Sequence, residues 1–251
     1  MTDLETTQPQ TKFKILLLGD DCVDIYQYGT VDRISPEAPV PVFTYEYEEQ
    51  RAGMAGNVKA NLEALGCDVS YMHSDTSIKT RLIDRRSKQH IVRIDTDAKS
   101  KPIDFTNIPS VYDAVIISDY DKGTITYELI TEIRKNFAGP IFVDTKKTDL
   151  ARLEGCCVKI NQLEFSKIKS KCSDLITTLG SAGAEWNSVV FSAPKVEVND
   201  VCGAGDTFLA ALAYSYVKSK DKEQAIQFAI KASAVTVQHF GVYAPTLKEI
   251  I

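Results

Sequence analysis

Asn199-Asp200-Val201-Cys202-Gly203-Ala204-Gly205-Asp206-Thr207-Phe208 decides the fold, because a glycine turn here joins an extended segment to a helix and ends in a carboxylate. Residues 196–199 read as a strand. Leu209, Leu212, Ala213 and Tyr216 recur at the i, i+3, i+4, i+7 spacing of one helical face. The turn then lies at a helix N-terminus, where the first N–H groups have no intrahelical acceptor and the macrodipole is positive. Such a turn can hold an anion such as a developing phosphoryl charge. Gly203 and Gly205 let the backbone approach it closely. Asp206 brings a carboxylate to the same place, within reach of a hydroxyl attacking phosphorus. The bland alternative is that Asp206 only caps the helix and the glycines only make a tight turn.

The bulk properties are those of a globular chain. It has 251 residues, 44% hydrophobic and 25% charged, enough for one well-buried core with a small flap. The formal net charge of -5 argues against nucleic acid or a membrane surface as partner. Cysteines at 22, 67, 156, 157, 172 and 202 form no C-x-x-C pair and the three histidines are scattered, so no zinc template fits and reduced thiols in the cytoplasm are expected. Residues 1–11 are polar and have no signal-peptide pattern, so a disordered tail is expected before a domain spanning 12–251. No apolar run reaches the ~18 residues that cross a bilayer.

Outward from the turn, the chain alternates apolar runs with helical patterns. Residues 15–18, 113–118, 141–144, 158–160 and 175–178 read as buried strands. Between them, Val58, Leu62 and Leu65, closed by Gly66, make one helical face, and Ile125, Leu129, Ile133 and Phe137 make another, capped by Thr124. Strands alternating with helices imply βαβ units, an α/β fold with a mostly parallel central sheet flanked by helices. Its carboxyl edge gathers Asp119, Asp144, Lys146, Asn161, Glu164, Thr178 and Gly180 beside the glycine turn. Asp24 is expected in the loop after the first strand, as an acceptor for substrate hydroxyls or simply solvated. Asn57 either binds a ligand or caps its helix. Asn161 and Glu164, three apart, either hold a hydrated Mg2+ together or serve only the helix surface.

Two further stretches read as a small β lid, at about 32–50 and 78–95. Arg33-Ile34-Ser35-Pro36-Glu37-Ala38-Pro39-Val40-Pro41-Val42 has three prolines in six residues, an extended and stiff connector. Phe43, Tyr45 and Tyr47 alternate with polar residues after it. A hairpin follows, turned around Ser87 and Lys88, with Lys79, Arg81 and Arg85 on one face. That cationic face fits a small anion such as a sugar phosphate, or else is a charged edge that resists aggregation. The exposed aromatic strand makes a homodimer through the lid an expectation. No P-loop is present and no G-x-G-x-x-G follows the first strand, which sets a dehydrogenase aside.

The turn from Asp200 to Phe208 resembles the signature of the PfkB, or ribokinase-like, carbohydrate kinases. Arg33 through Val42, Ser118-Asp119-Tyr120-Asp121-Lys122-Gly123 and Asp144-Thr145-Lys146 resemble, within that family, bacterial heptose 7-phosphate kinases, which make heptose 1,7-bisphosphate for ADP-heptose synthesis. The resemblance implies a ribokinase-like fold, ATP and Mg2+ as cofactors and a sugar phosphate as partner. It implies Asp206 as the base and the backbone of Gly203, Ala204 and Gly205 as anion hole. By the same resemblance Asn161 and Glu164 lie near Mg2+ and the nucleotide phosphates, Glu164 toward the metal, and Thr178, Gly180 and Gly183 in the nucleotide loop. Asp24, Gly53 and Asn57 would contact sugar hydroxyls, and Lys79, Arg81 and Lys146 the sugar phosphate.

The chain departs from the pattern in places. Met54 stands where a second glycine is usual, Ile25 where an arginine is, and Ile230 where an asparagine near the adenine is. The segments between Met72 and Ile78 and between Lys171 and Leu175 are shorter than in the family. A non-catalytic sugar-phosphate or nucleotide-binding relative, or a PfkB kinase of another sugar, therefore stands as the alternative.

Overall fold

The computed structural model describes residues 12–104 and 110–251; the tail expected at 1–11 lies outside the described residues. Strand β1 (Lys14–Gly19) is buried from its second residue onward. Ile15 and Leu17 pack into one hydrophobic layer while Leu16 and Leu18 pack into another on the opposite face. A period-two strand buried on both faces is what a parallel sheet covered by helices requires. Each such side chain fully withdrawn from water contributes about 1.5–3 kcal/mol.

The chain then runs through β2 (Asp21–Ile34), β3 (Pro41–Met54), α1 (Ala55–Ala64), β4 (Asp68–Met72), β5 (Thr76–Asp84) and β6 (His90–Thr96). It continues through β7 (Ala114–Asp119), α2 (Tyr127–Asn136), β8 (Ile141–Thr145), β9 (Cys157–Asn161), α3 (Gln162–Phe165) and β10 (Leu175–Thr178). Last come β11 (Ala184–Trp186), β12 (Val189–Phe191), α4 (Ala204–Ser219), α5 (Lys222–Thr236) and α6 (Leu247–Ile250). The large sheet has the order β12-β11-β10-β9-β8-β7-β1-β4, parallel from β10 to β4, with β11 and β12 antiparallel at one edge. Helices α1, α4 and α5 cover one face and α2 the other. After β1 the chain goes to β4 on one side and returns to β7 on the other, so strand order reverses between β1 and β7. Ligands bind at such a switch point, outside the carboxyl ends of the strands.

The smaller sheet, β3-β2-β5-β6, is longer than the expected lid. Residues 33–42 are not an extended connector: they form the tip of the β2–β3 hairpin, closed by Ser35 N–H donating to the Val40 carbonyl at 2.9 Å. Asp24 is not in a loop either; it sits within β2, paired with Arg51 on β3 and Lys79 on β5. Residues 196–199 join no sheet. Asn199 and Asp200 instead donate their N–H groups to the Val237 carbonyl at the end of α5, at 2.8 and 3.2 Å. Helix α2 is capped by Thr126, whose side chain accepts from Leu129 N, and not by Thr124, which is buried. Only residues 73–75 separate β4 from β5, and the four-residue α3 is the sole helix between β9 and β10, in line with the shortened segments seen in the sequence.

Candidate active site

Helix α4 begins at the glycine turn. Gly203 precedes it with φ 76°, in the left-handed region where side chains are strained. A Cβ there would also lie 2.7 Å from Asn57 Nδ2. No side chain caps the first turn of α4; Ala204 N–H turns back onto the Val201 carbonyl at 3.3 Å, which leaves the next N–H groups, those of Gly205 and Asp206, to an external anion. A Cβ at Gly205 would meet Lys159 Nζ at 3.0 Å, so an ammonium stands directly behind the turn. Lys159 is buried in β9 and pairs with Asp144 Oδ2 at 2.7 Å. Burial works against its charge, yet Asp144 holds its pKa above the usual lysine value.

Asp206 is buried in that first turn, 6% exposed. Its Oδ2 accepts from Asn57 Nδ2 at 2.8 Å and its Oδ1 from the Tyr120 hydroxyl at 2.9 Å. Burial raises its pKa from 3.8 to about 6; the Asn57 and Tyr120 hydrogen bonds and Lys159 pull the other way, and Asp144 adds to the rise. A carboxylate with a pKa in that range can take a proton near neutral pH. Asn57 is the third residue of α1 and does not cap it; Asn61 Nδ2 donates to its carbonyl and to its Oδ1, at 2.8 and 3.2 Å, fixing the amide. Tyr120 follows β7 at the switch point, with its N–H on Asp20 Oδ2 at 2.7 Å. Two ammonium groups, Lys79 and Lys146, lie over its ring at 5.8 and 5.3 Å from the centroid.

A cleft of about 530 Å³ opens on the backbone of Ala204 and Gly205 and is lined by Thr178, Gly180, Gly183 and Ile230. Val196, Val198 and Phe208 make it largely apolar, as a flat heterocycle requires. Asp206 is turned toward Asn57 and Tyr120 and does not line this cleft.

The other expected site residues divide into those the fold brings in and those it occupies elsewhere. Asp24 and Gly53 are cross-strand neighbours in the smaller sheet, and a Cβ at Gly53 would strike Asp24 Oδ2 at 2.5 Å. Arg81 is already paired: its guanidinium donates to Asp24 Oδ1 at 2.6 Å. Arg85, Arg86 and Arg93 likewise pair with Glu46, Asp32 and Asp95, so most of the expected cationic face is neutralised. Lys79 forms no ion pair among the described residues. Asn161 and Glu164 close a capping box on α3, Asn161 Oδ1 accepting from Glu164 N at 2.9 Å and Glu164 Oε2 accepting from Asn161 N at 2.8 Å. The other Glu164 oxygen takes Lys146. Among the described residues no three His, Cys, Asp or Glu side chains converge on a cation position.

Two residues of the constellation were not singled out from sequence. Tyr120 lies inside a quoted motif, but nothing in a loop tyrosine shows that its hydroxyl reaches residue 206. Lys159 did carry a signal, since a lysine within an apolar strand must be paired when buried.

Residues 57–249 match the pfkB family carbohydrate kinase profile. The chain is 35% identical to the bifunctional protein HldE of Nitratiruptor sp., over 95% of this chain and 64% of that protein. It is 31% identical to the bifunctional protein HldE of Helicobacter hepaticus, over 100% of this chain and 65% of that protein. The chain thus spans somewhat less than two thirds of these relatives. Among solved structures, phosphofructokinase-2 from Escherichia coli superposes with a TM-score of 0.71 at 15% identity, over 95% of this chain and 96% of that one. Arabidopsis thaliana ribokinase complexed with ribose and ATP gives 0.69 at 17% identity, over 96% and 98%. These likenesses show a ribokinase-like fold.

Proposed function

Because the chain belongs to the pfkB family of carbohydrate kinases, we propose that it transfers the terminal phosphoryl group of ATP to the anomeric hydroxyl of a heptose 7-phosphate. One observation carries the reading: a buried carboxylate, Asp206, stands in the first turn of a helix whose uncapped N–H groups border a nucleotide-sized cleft. Asp206 accepts the proton of the sugar hydroxyl, and Asn57 holds the carboxylate in place. The N–H groups after Gly203 and the ammonium of Lys159 face the charge that develops on the transferred group. Phosphoryl transfer needs positioning and charge stabilisation more than a strong base, so a carboxylate of moderate pKa suffices.

The adenine fits the apolar cleft, with Ile230 packing on it where a polar group would have bonded it. Gly180 and Gly183, at φ 59° and 103°, let the loop after β10 bend around the nucleotide. Asp24 and Asn57 meet sugar hydroxyls, and Lys79 with Lys146 meets the sugar's own phosphate. Glu164, whose two oxygens take Asn161 N–H and Lys146, would meet a hydrated Mg2+ on the phosphates through the waters that this ion retains. When bound, the ion neutralises phosphate charge. The smaller sheet acts as a lid that excludes water, and its exposed Tyr45 and Tyr47 provide a surface for a second copy of the chain. Among the described residues no helix is long and apolar enough to cross a membrane, and use of ATP as donor supports a reaction in the cytoplasm.

ADP release measured with heptose 7-phosphate, fructose, ribose and fructose 6-phosphate tests the reading. Turnover with the heptose phosphate alone is expected. Turnover only with another sugar reassigns the substrate, and none with any sugar favours a non-catalytic relative, the reading supported by the two shortened segments.

A further inference from the structure

Asp206 has two carboxylate oxygens, and both accept a side-chain hydrogen bond. The two donors differ in kind. Asn57 comes from within α1 and is fixed by Asn61, whereas Tyr120 comes from the loop after β7, with the ammonium groups of Lys79 and Lys146 over its ring and Lys146 also paired with Glu164. We propose that Tyr120 guards the catalytic base: its phenol occupies the place of the acceptor hydroxyl on Asp206, and an anionic acceptor displaces it by drawing Lys79 and Lys146 from its ring. The inference rests on the kinase reading and deepens it.

A kinase that binds ATP before its sugar must suppress hydrolysis, in which a water oxygen attacks the terminal phosphorus, the bond to ADP breaks and the water proton passes to the base. With Tyr120 on Asp206, that oxygen already has a donor in the place an attacking water would take. Exchange of the phenol for a sugar hydroxyl replaces one O–H donor by another and costs little. The phenol stays a donor at all working pH values, since burial, with Asp206, Asp144 and Glu164 nearby, pushes its pKa far up. An acceptor without a phosphate leaves both lysines on the ring and the base covered, so the device also selects for phosphorylated sugars.

The test compares the wild-type chain with Tyr120→Phe, which removes only the hydroxyl, and Tyr120→Leu, which also removes the ring. ADP release is followed from ATP alone and from ATP with heptose 7-phosphate. The ratio of sugar-independent to sugar-dependent release should rise about 10-fold in both variants, a fraction of what a general base supplies. Adding Asp206→Asn to Tyr120→Phe should remove the excess hydrolysis. The acid limb of the Tyr120→Phe pH profile should move to higher pH, because a hydrogen bond that favours the charged carboxylate is gone while Asp144 and Lys159 remain. An unchanged or lower ratio, or excess hydrolysis that survives Asp206→Asn, overturns the guard. A wild-type chain that phosphorylates a sugar while the ratio stays flat sinks the guard alone; a wild-type chain that phosphorylates none sinks the kinase reading.

Discussion

Lys159 Nζ lies 2.7 Å from Asp144 Oδ2, and both side chains are buried behind the glycine turn. A buried pair of this kind is far costlier to halve than to remove. Lys159→Met should destabilise the chain by about 3–5 kcal/mol, because Asp144 is left without a counter-charge. Pairing it with Asp144→Leu should recover most of that loss. Urea denaturation of the two variants checks this; a single variant within 1 kcal/mol of wild type, or a double variant less stable than the single, would contradict it.

The two glycines of the turn should tolerate alanine unequally. At Gly203 the φ of 76° is strained for any side chain, and a Cβ would press on Asn57 Nδ2 at 2.7 Å, the same amide that holds Asp206. At Gly205 the only close atom is Lys159 Nζ, 3.0 Å away, and the backbone carries no positive-φ strain. Gly203→Ala should therefore cost about 1–2 kcal/mol and lower kcat about 100-fold through misplacement of the base. Gly205→Ala should do less on both counts, as steady-state kinetics and thermal melts would show.

Asp206 sets the pH dependence of both activity and stability. Activity should fall as pH drops through about 6, where the base becomes protonated. Stability runs the other way. With a folded pKa raised from 3.8 to about 6, the native state holds this proton more tightly than the unfolded chain. The resulting stabilisation is complete below the unfolded value and is lost as pH rises through about 6, a difference of about 2–3 kcal/mol. Asp206→Asn should accordingly raise the melting temperature at pH 8 and leave it nearly unchanged at pH 4. A variant less stable than wild type at pH 8 would show that the carboxylate is better accommodated than its burial implies.

Met54 enters α1 at φ 50°, ψ -130°, a backbone conformation natural only to glycine, and its side chain is buried. Met54→Ala and Met54→Gly both delete the side chain, but only glycine relieves the backbone. The glycine variant should be the more stable of the two by about 1 kcal/mol, against the usual preference for alanine near a helix. Equal stabilities would mean that the strain is relaxed elsewhere.

Much of this architecture was legible from residue patterns. The strands β1, β7 and β8 carry continuous apolar runs because they are buried on both faces, and the turn before α4 declares itself by its glycines. The smaller sheet was harder to bound. In β2, Asp24 looked like a loop residue because Gly19 and Asp20 read as a strand end, whereas the chain continues directly into a polar, half-exposed strand. The proline-rich stretch 33–42 restricts φ equally well in a connector and at a hairpin tip, so composition alone could not choose. Asn161 and Glu164 have spacing that serves a cation or a capping box, and the structure has the box. Lys159 and Tyr120 act through partners far away in sequence, Asp144 and Asp206, and no local pattern records such pairings.

Sugar-dependent ADP release by Asp206→Asn, measured beside calorimetric binding of the same sugar phosphate, tests the central claim most directly. The account predicts that kcat falls about 10²–10⁴-fold while the sugar phosphate binds with nearly wild-type affinity. Wild-type turnover in that variant would contradict it.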